Sequence, residues 1–116
     1  MQRMLMKSKL HQASVTETVI DYEGSIAIDE NLLEAADIVV NEQVHIFNIN
    51  NGERFITYAI PEERGSKTIS VNGAAARLVQ RNDRIIIVAY GMMSQDVSET
   101  FYPKVILLDE SNNPIG

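Results

Sequence analysis

The chain contains no cysteine and no tryptophan, only three prolines, and just seven aromatic residues, four of them tyrosine and three phenylalanine. Without cysteine there are no disulfides, thiolate metal sites, iron–sulfur ligation or thiol nucleophile. The two histidines, His11 and His45, stand too far apart to suggest a metal site, so no metal is expected. Positive charge is also scarce. Ten Lys and Arg face sixteen Asp and Glu, for a net charge of -6. That balance argues against a nucleic acid or an anionic membrane as partner, since both reward clustered cations. No apolar run approaches membrane-spanning length. The opening MQRMLMKSKLHQ lacks the continuous apolar core of a signal peptide, so a cytoplasmic protein is expected.

What remains is one domain, residues 1–116, with 45% hydrophobic and 22% charged residues. Its periodicity is that of strands. Val15, Thr16, Thr18, Val19 and Ile20 form a β-branched run, and Ser25–Ile28 follows a turn. Val44 and Ile46 alternate with His45 and Phe47, and the segment ends in Asn50-Asn51-Gly52, a strong hairpin signal. Residues 53–60 form the return strand, and 67–71, 84–90 and 104–108 three more. Helix signals are short: Asp29 is placed to cap Glu30–Ala36, and Gly73–Leu78 and Gln95–Thr100 have room for a turn or two. Many short strands spaced by turns predict a mainly β domain, a small closed barrel or sandwich with a few short helices. SNNPIG, residues 111–116, reads as a frayed tail.

Several segments together carry a resemblance. Lys9-Leu10-His11, Tyr22-Glu23-Gly24-Ser25, Asn51-Gly52-Glu53-Arg54-Phe55, Thr57-Tyr58, Glu63-Arg64-Gly65-Ser66 and Asn72-Gly73-Ala74-Ala75-Ala76 resemble the pyruvoyl-dependent aspartate 1-decarboxylases in order and spacing. Any one is weak, because Gly-Ser and Asn-Gly are common pairs. Six in register across most of the chain are strong.

The resemblance implies a double-psi β-barrel and a homotetramer with active sites between neighbouring subunits. It implies conversion of L-aspartate to β-alanine and CO₂ for pantothenate and coenzyme A synthesis. It also gives the stretch DYEGSIAID a chemical meaning, self-cleavage between Gly24 and Ser25. The Ser25 hydroxyl attacks the Gly24 carbonyl, elimination frees the N-terminal piece, and Ser25 becomes a covalent pyruvoyl group. The cofactor is then made from the chain, with no pyridoxal phosphate, and takes the substrate amine as a Schiff base. The resemblance leaves room for a maturation factor acting on that cut.

Residue by residue, the same resemblance makes Thr57 the donor to the Gly24 carbonyl and its oxyanion. Tyr58 returns a proton to the substrate Cα, a task suited to a phenol protonated at neutral pH. Arg54 clamps a substrate carboxylate with its planar fork, and Lys9 is the second cation. Asn72 with the Gly73-Ala74-Ala75 backbone forms the substrate loop, where small side chains let N–H groups approach the ligand.

Taken alone, these residues have plainer readings. Gly24-Ser25 is then a hairpin turn, Arg54 and Tyr58 are surface residues on one strand face, and Asn72–Ala76 is a helix entry. Thr57 and Tyr58 point to opposite faces of a regular strand, so a bulge or the strand's end is needed for both to line one site. The chain also departs from the family pattern. Gln12 stands where arginine is common, Phe47 where some members carry tryptophan, and the turn Arg81-Asn82-Asp83 lacks glycine. The rival from another class is a non-catalytic β-barrel binding or assembly module with an uncleaved Gly24-Ser25.

Overall fold

The longest strand of the protein is one that sequence periodicity does not announce. β1 runs from Gln2 to Ser14 and pairs with β7, Arg84–Ser94, in an antiparallel ladder. Its alternation is broken by register shifts between Met6 and Ser8 and between Leu10 and Ala13, where Gln12 takes a positive φ of 62°. Each shift moves apolar residues to the other face, so a period of two never accumulates.

Residues 1–115 are described by the structure, a computed structural model. The remaining elements are β2 (Glu17–Val19), β3 (Ser25–Asp29), α1 (Glu30–Ala35), β4 (Gln43–Asn48), β5 (Arg54–Glu62) and β6 (Ile69–Asn72). A 3₁₀ segment (Gly73–Leu78), α2 (Gln95–Ser98) and β8 (Lys104–Leu107) complete them. The eight strands form one sheet in the order β2-β6-β3-β5-β4-β7-β1-β8. β2 follows β1 in the chain after two residues, yet it pairs with β6 at the far end of that order. One run of chain therefore stitches the two ends of the sheet together. Val15 N–H donates to Asp83 O at 2.9 Å and Thr16 N–H to Ile69 O at 2.8 Å across the seam. The result is the expected mainly β, barrel-like fold, filled by Leu10, Ile26, Ile28, Ile46, Ile69, Ile85 and Ile87, all fully buried.

The hairpin at Asn50-Asn51-Gly52 forms, with Gly52 at φ 77° and its N–H on Asn48 O at 2.8 Å. Asn82 takes the left-handed conformation, φ 78°, that the glycine-free turn requires. Asp29 caps α1 through Asn31 N–H at 2.8 Å, and the same carboxylate accepts from Gly65 N–H at 3.0 Å and Lys67 N–H at 2.8 Å. Burial alone would raise its pKa. The three N–H donors and the nearby Lys67 charge outweigh that and hold it below the ordinary carboxylate range.

Two sequence expectations are corrected. Gly24-Ser25 is not a hairpin turn, because β2 and β3 do not pair with each other. Both pair with β6, on its two edges, so residues 20–24 cross over that strand. The tail over 111–115 is not frayed, while Gly116 lies outside the described residues. Asn112 is 1% exposed; its Oδ1 accepts from Ser14 N–H at 2.7 Å and its Nδ2 donates to Ser14 O at 2.9 Å and Lys67 O at 3.0 Å. A short polar segment is held in place here by backbone groups that would otherwise be buried without partners. Among the described residues no helix is long and apolar enough to cross a membrane.

Candidate active site

β3 lies between β5 and β6, and Ser25 is its first residue. Within the ladders, Ser25 is paired directly with Asn72 of β6. The parallel register on the other side sets Ile26 beside Ala59. Carried back beyond the ladder by one position and then two, that register would set Ser25 beside Tyr58 and Gly24 beside Thr57. Ile26, Val71 and Ala59 face the core, so Ser25, Asn72 and Tyr58 share the face turned away from it.

Ser25 is nevertheless fully buried. Its Oγ accepts from Asn72 Nδ2 at 3.0 Å and lies 3.4 Å from Glu23 O, toward which it donates. Asn72 stands at the N-cap of the 3₁₀ segment, but its side chain makes no cap hydrogen bond and turns to Ser25 instead. Asn72 Oδ1 accepts from Ser70 Oγ at 2.9 Å. Ser70 was not singled out from the sequence. Its place two residues before Asn72 in a strand, hence on the same face, was the available signal.

Gly73 follows with φ 76°. A Cβ there would fall 2.7 Å from Gly24 Cα and 2.8 Å from Gly24 N, so only glycine lets the 3₁₀ segment lie against the Gly24-Ser25 peptide. Ala74 is exposed and Ala75 packs on the core. Gly24, Ser25, Asn72 and Gly73 are thus one assembly, with Tyr58 alongside.

Thr57 is next to this assembly but not joined to it. The β4·β5 register runs unbroken from Arg54 to Tyr58, with Thr57 opposite the fully buried Val44 and Tyr58 opposite Gln43. No bulge brings both side chains to one face, and among the described residues no hydrogen bond links Thr57 to Gly24.

Arg54 and Lys9 are not brought to Ser25 within one chain. Arg54 lies four residues along β5 from Tyr58, about 13 Å away at strand rise. Its guanidinium sits 4.8 Å from the Phe47 ring centroid, a cation–π contact at the barrel's outer face. Lys9 pairs with Val88, which pairs with His45, which pairs with Ile56. That row puts Lys9 on the same outer face, three strand spacings from β5, about 14 Å. His11, nearby on β1, has a buried Nδ1 without a hydrogen-bond partner among the described residues. Burial lowers its pKa, and the charges of Lys9 and Arg84 lower it further.

A small, barrel-like β fold that buries a serine hydroxyl beside a Gly–Gly contact, with an amide donor on its oxygen, is the class of protein the structure defines. Comparison with known proteins gives the class a family. The family model for aspartate decarboxylase matches residues 1–115, and the chain belongs to that family of carboxy-lyases. It is 56% identical over 116 residues to the aspartate 1-decarboxylase of Thermoanaerobacter pseudethanolicus, covering 100% of this chain and 99% of that protein. The aspartate 1-decarboxylase of Desulfitobacterium hafniense is 56% identical over 113 residues, 97% of this chain and 89% of its own. That of Caulobacter vibrioides is 57% identical over 108 residues, 93% and 92% of the two chains.

Proposed function

We propose that this protein decarboxylates L-aspartate to β-alanine and CO₂, as a cytoplasmic step toward pantothenate and coenzyme A. It does so with a pyruvoyl group made from Ser25 after self-cleavage between Gly24 and Ser25. The observation that carries this is the buried Ser25 hydroxyl, held by Asn72 while Gly73 presses on Gly24. Ser25 Oγ attacks the Gly24 carbonyl carbon, the Gly24–Ser25 C–N bond breaks, and the hydroxyl proton ends on the Ser25 nitrogen. The ester so formed loses the Ser25 Cα proton to water and the Cβ–Oγ bond breaks. Gly24 departs as a carboxylate, and water then replaces the nitrogen, which leaves as ammonia.

The residues around Ser25 suit a pyruvoyl group, because they are an amide donor and glycine backbone, with no bulky side chain at Gly73 to crowd a planar ketone. When formed, that group supplies an electron sink for the pair released as the carboxylate leaves. Tyr58 stands in register to return a proton to Cα. Thr57 is the donor to the Gly24 carbonyl, a role that requires its side chain to leave the face it takes in the regular β5 ladder. Asn72 and the Gly73-Ala74-Ala75 backbone border the substrate. Arg54 and Lys9 hold its carboxylates, and since both lie far from Ser25 in one chain, we take them from neighbouring copies in a homotetramer.

Intact mass spectrometry of freshly purified protein under denaturing conditions is the test, alongside CO₂ release from labelled L-aspartate. The expected species are residues 1–24 and a fragment lighter by one ammonia than a chain beginning with serine. Ser25→Ala should give one full-length mass and no CO₂. Fully processed protein that releases no CO₂, or an active Ser25→Ala variant, overturns the proposal.

A further inference from the structure

The Ser70 hydroxyl has a single role in the structure, and it is two bonds away from the reacting oxygen. It donates to Asn72 Oδ1 at 2.9 Å, and Asn72 Nδ2 donates to Ser25 Oγ at 3.0 Å. Ser70, Asn72 and Ser25 are 4%, 4% and 0% exposed, so all three are buried side chains. An amide presents a donor at one end and an acceptor at the other, and its partners decide which end meets which neighbour. In the orientation found, the Ser70 proton meets Oδ1 and Nδ2 meets Ser25 Oγ; reversed, the two hydroxyls would have to exchange roles, Ser70 accepting and Ser25 donating. With Ser70 donating to Oδ1, an N–H faces Ser25.

We propose that Ser70 is a positioning residue for self-cleavage: by engaging Asn72 Oδ1 it aims the Asn72 N–H at the oxygen that must leave Ser25 Cβ. This rests on the self-cleavage reading given above. In the acyl shift, the N–H occupies one lone pair of Oγ and leaves the other free to form the Oγ–C bond. In the elimination, the Cβ–Oγ bond breaks, its electron pair goes to Oγ, and Oγ departs as part of the Gly24 carboxylate. Charge thus grows on the atom the N–H already touches, and a donor fixed in a dry site stabilises growing charge without reorganising. Losing the Ser70 hydroxyl spares the shift and slows the elimination, so the ester accumulates.

Ser70→Thr and Ser70→Val have the same shape and differ only in the hydroxyl, and both suit a strand. Each is followed by denaturing mass spectrometry over time, with and without neutral hydroxylamine, which cuts an ester at residue 24 but not the amide. The C-terminal fragment it releases begins with serine and is heavier than the pyruvoyl fragment by one ammonia. The expected result is finished fragments appearing about tenfold more slowly in Ser70→Val than in Ser70→Thr, the effect of one oriented hydrogen bond. A hydroxylamine-sensitive species builds up only in Ser70→Val, which should also melt about 4–8 °C below Ser70→Thr because Asn72 Oδ1 loses its buried partner. Ser70→Ala, which adds no methyl group, serves if the larger side chains unfold the strand, and should show the same ester.

Equal cleavage rates in Ser70→Thr and Ser70→Val overturn the proposal. So does slow cleavage in Ser70→Val without a trapped ester, which would place the block elsewhere. A native chain that never cuts overturns the self-cleavage reading and this proposal with it. A native chain that cuts normally beside equal variants overturns this proposal alone.

Discussion

Gly73→Ala puts the contact between the 3₁₀ segment and the Gly24-Ser25 peptide directly under load. Two costs can be worked from the structure. Gly73 has φ 76°, where an alanine costs about 1–2 kcal/mol. Its new Cβ would stand 2.7 Å from Gly24 Cα, so one backbone or the other must retreat by about 1 Å to reach ordinary contact. Overpacking of this kind adds about 1–3 kcal/mol. Gly52→Ala isolates the first cost, because Gly52 has φ 77° and nothing within 4 Å of its Cβ position. At roughly 4 °C per kcal/mol for a domain of this size, Gly52→Ala should lower Tm by about 4–8 °C and Gly73→Ala by about 8–20 °C. Differential scanning calorimetry gives the melting temperatures, and the fraction cut is read by mass spectrometry over the same preparations. Gly52→Ala should cleave at the native rate and Gly73→Ala far more slowly, since only the second displaces Gly24. Equal melting temperatures and equal cleavage would refute the claim that Gly73 is glycine on account of Gly24.

Tyr58→Phe should leave cleavage largely intact and slow turnover severely; near-normal CO₂ release would mean that another group returns the proton. Asp29 is held below the ordinary carboxylate pKa in the folded chain, so between that value and about 4 the unfolded chain binds more protons. Its contribution is complete above about pH 4 and is lost as pH falls through the folded pKa. Asp29→Asn should therefore be less stable at neutral pH and show a flatter loss in acid; urea midpoints from about pH 7 to about pH 2 that run parallel to the native protein would contradict this. Asn112→Ala removes three hydrogen bonds from a buried site and should cost about 2–4 kcal/mol, with protease sensitivity appearing near residue 112. An unchanged urea midpoint would show that the tail is held by something else.

β3, β6 and β8 were legible as short strand-like runs, and most plainly legible were the strands whose ladders run regularly, β4, β5 and the first half of β7. Their alternation, and the Asn-Gly turn joining β4 to β5, are local properties. β1 was not legible because two register shifts scramble its period. Nor was the fate of residues 111–115, which depends on Ser14 and Lys67, far away in the chain. The site divides along the same line. Gly24, Ser25, Asn72 and Gly73 were named from the pattern of residues, but their contact arises from β6 lying between β2 and β3, a pairing that no local signal encodes. Ser70 was missed because a serine in a strand is ordinary until its partner is known. The strand alternation of Thr57 and Tyr58, visible from the sequence, persists in the structure.

The placement of β1 has a consequence for the life of the molecule. β1 is flanked on both sides, by β7 and by β8, and β2 closes the seam with β6. A cut after Gly24 would turn these strands into a separate peptide woven through the barrel, bound by ladders rather than by a covalent bond. Folding of the intact chain is intramolecular, with β1 present at a high effective concentration near its partners. The cut form has no such tether, so once unfolded it would reassemble as a second-order reaction that dilution defeats. Maturation would in that way act as a ratchet: the barrel is built once as a single chain and thereafter persists only for as long as it does not come apart.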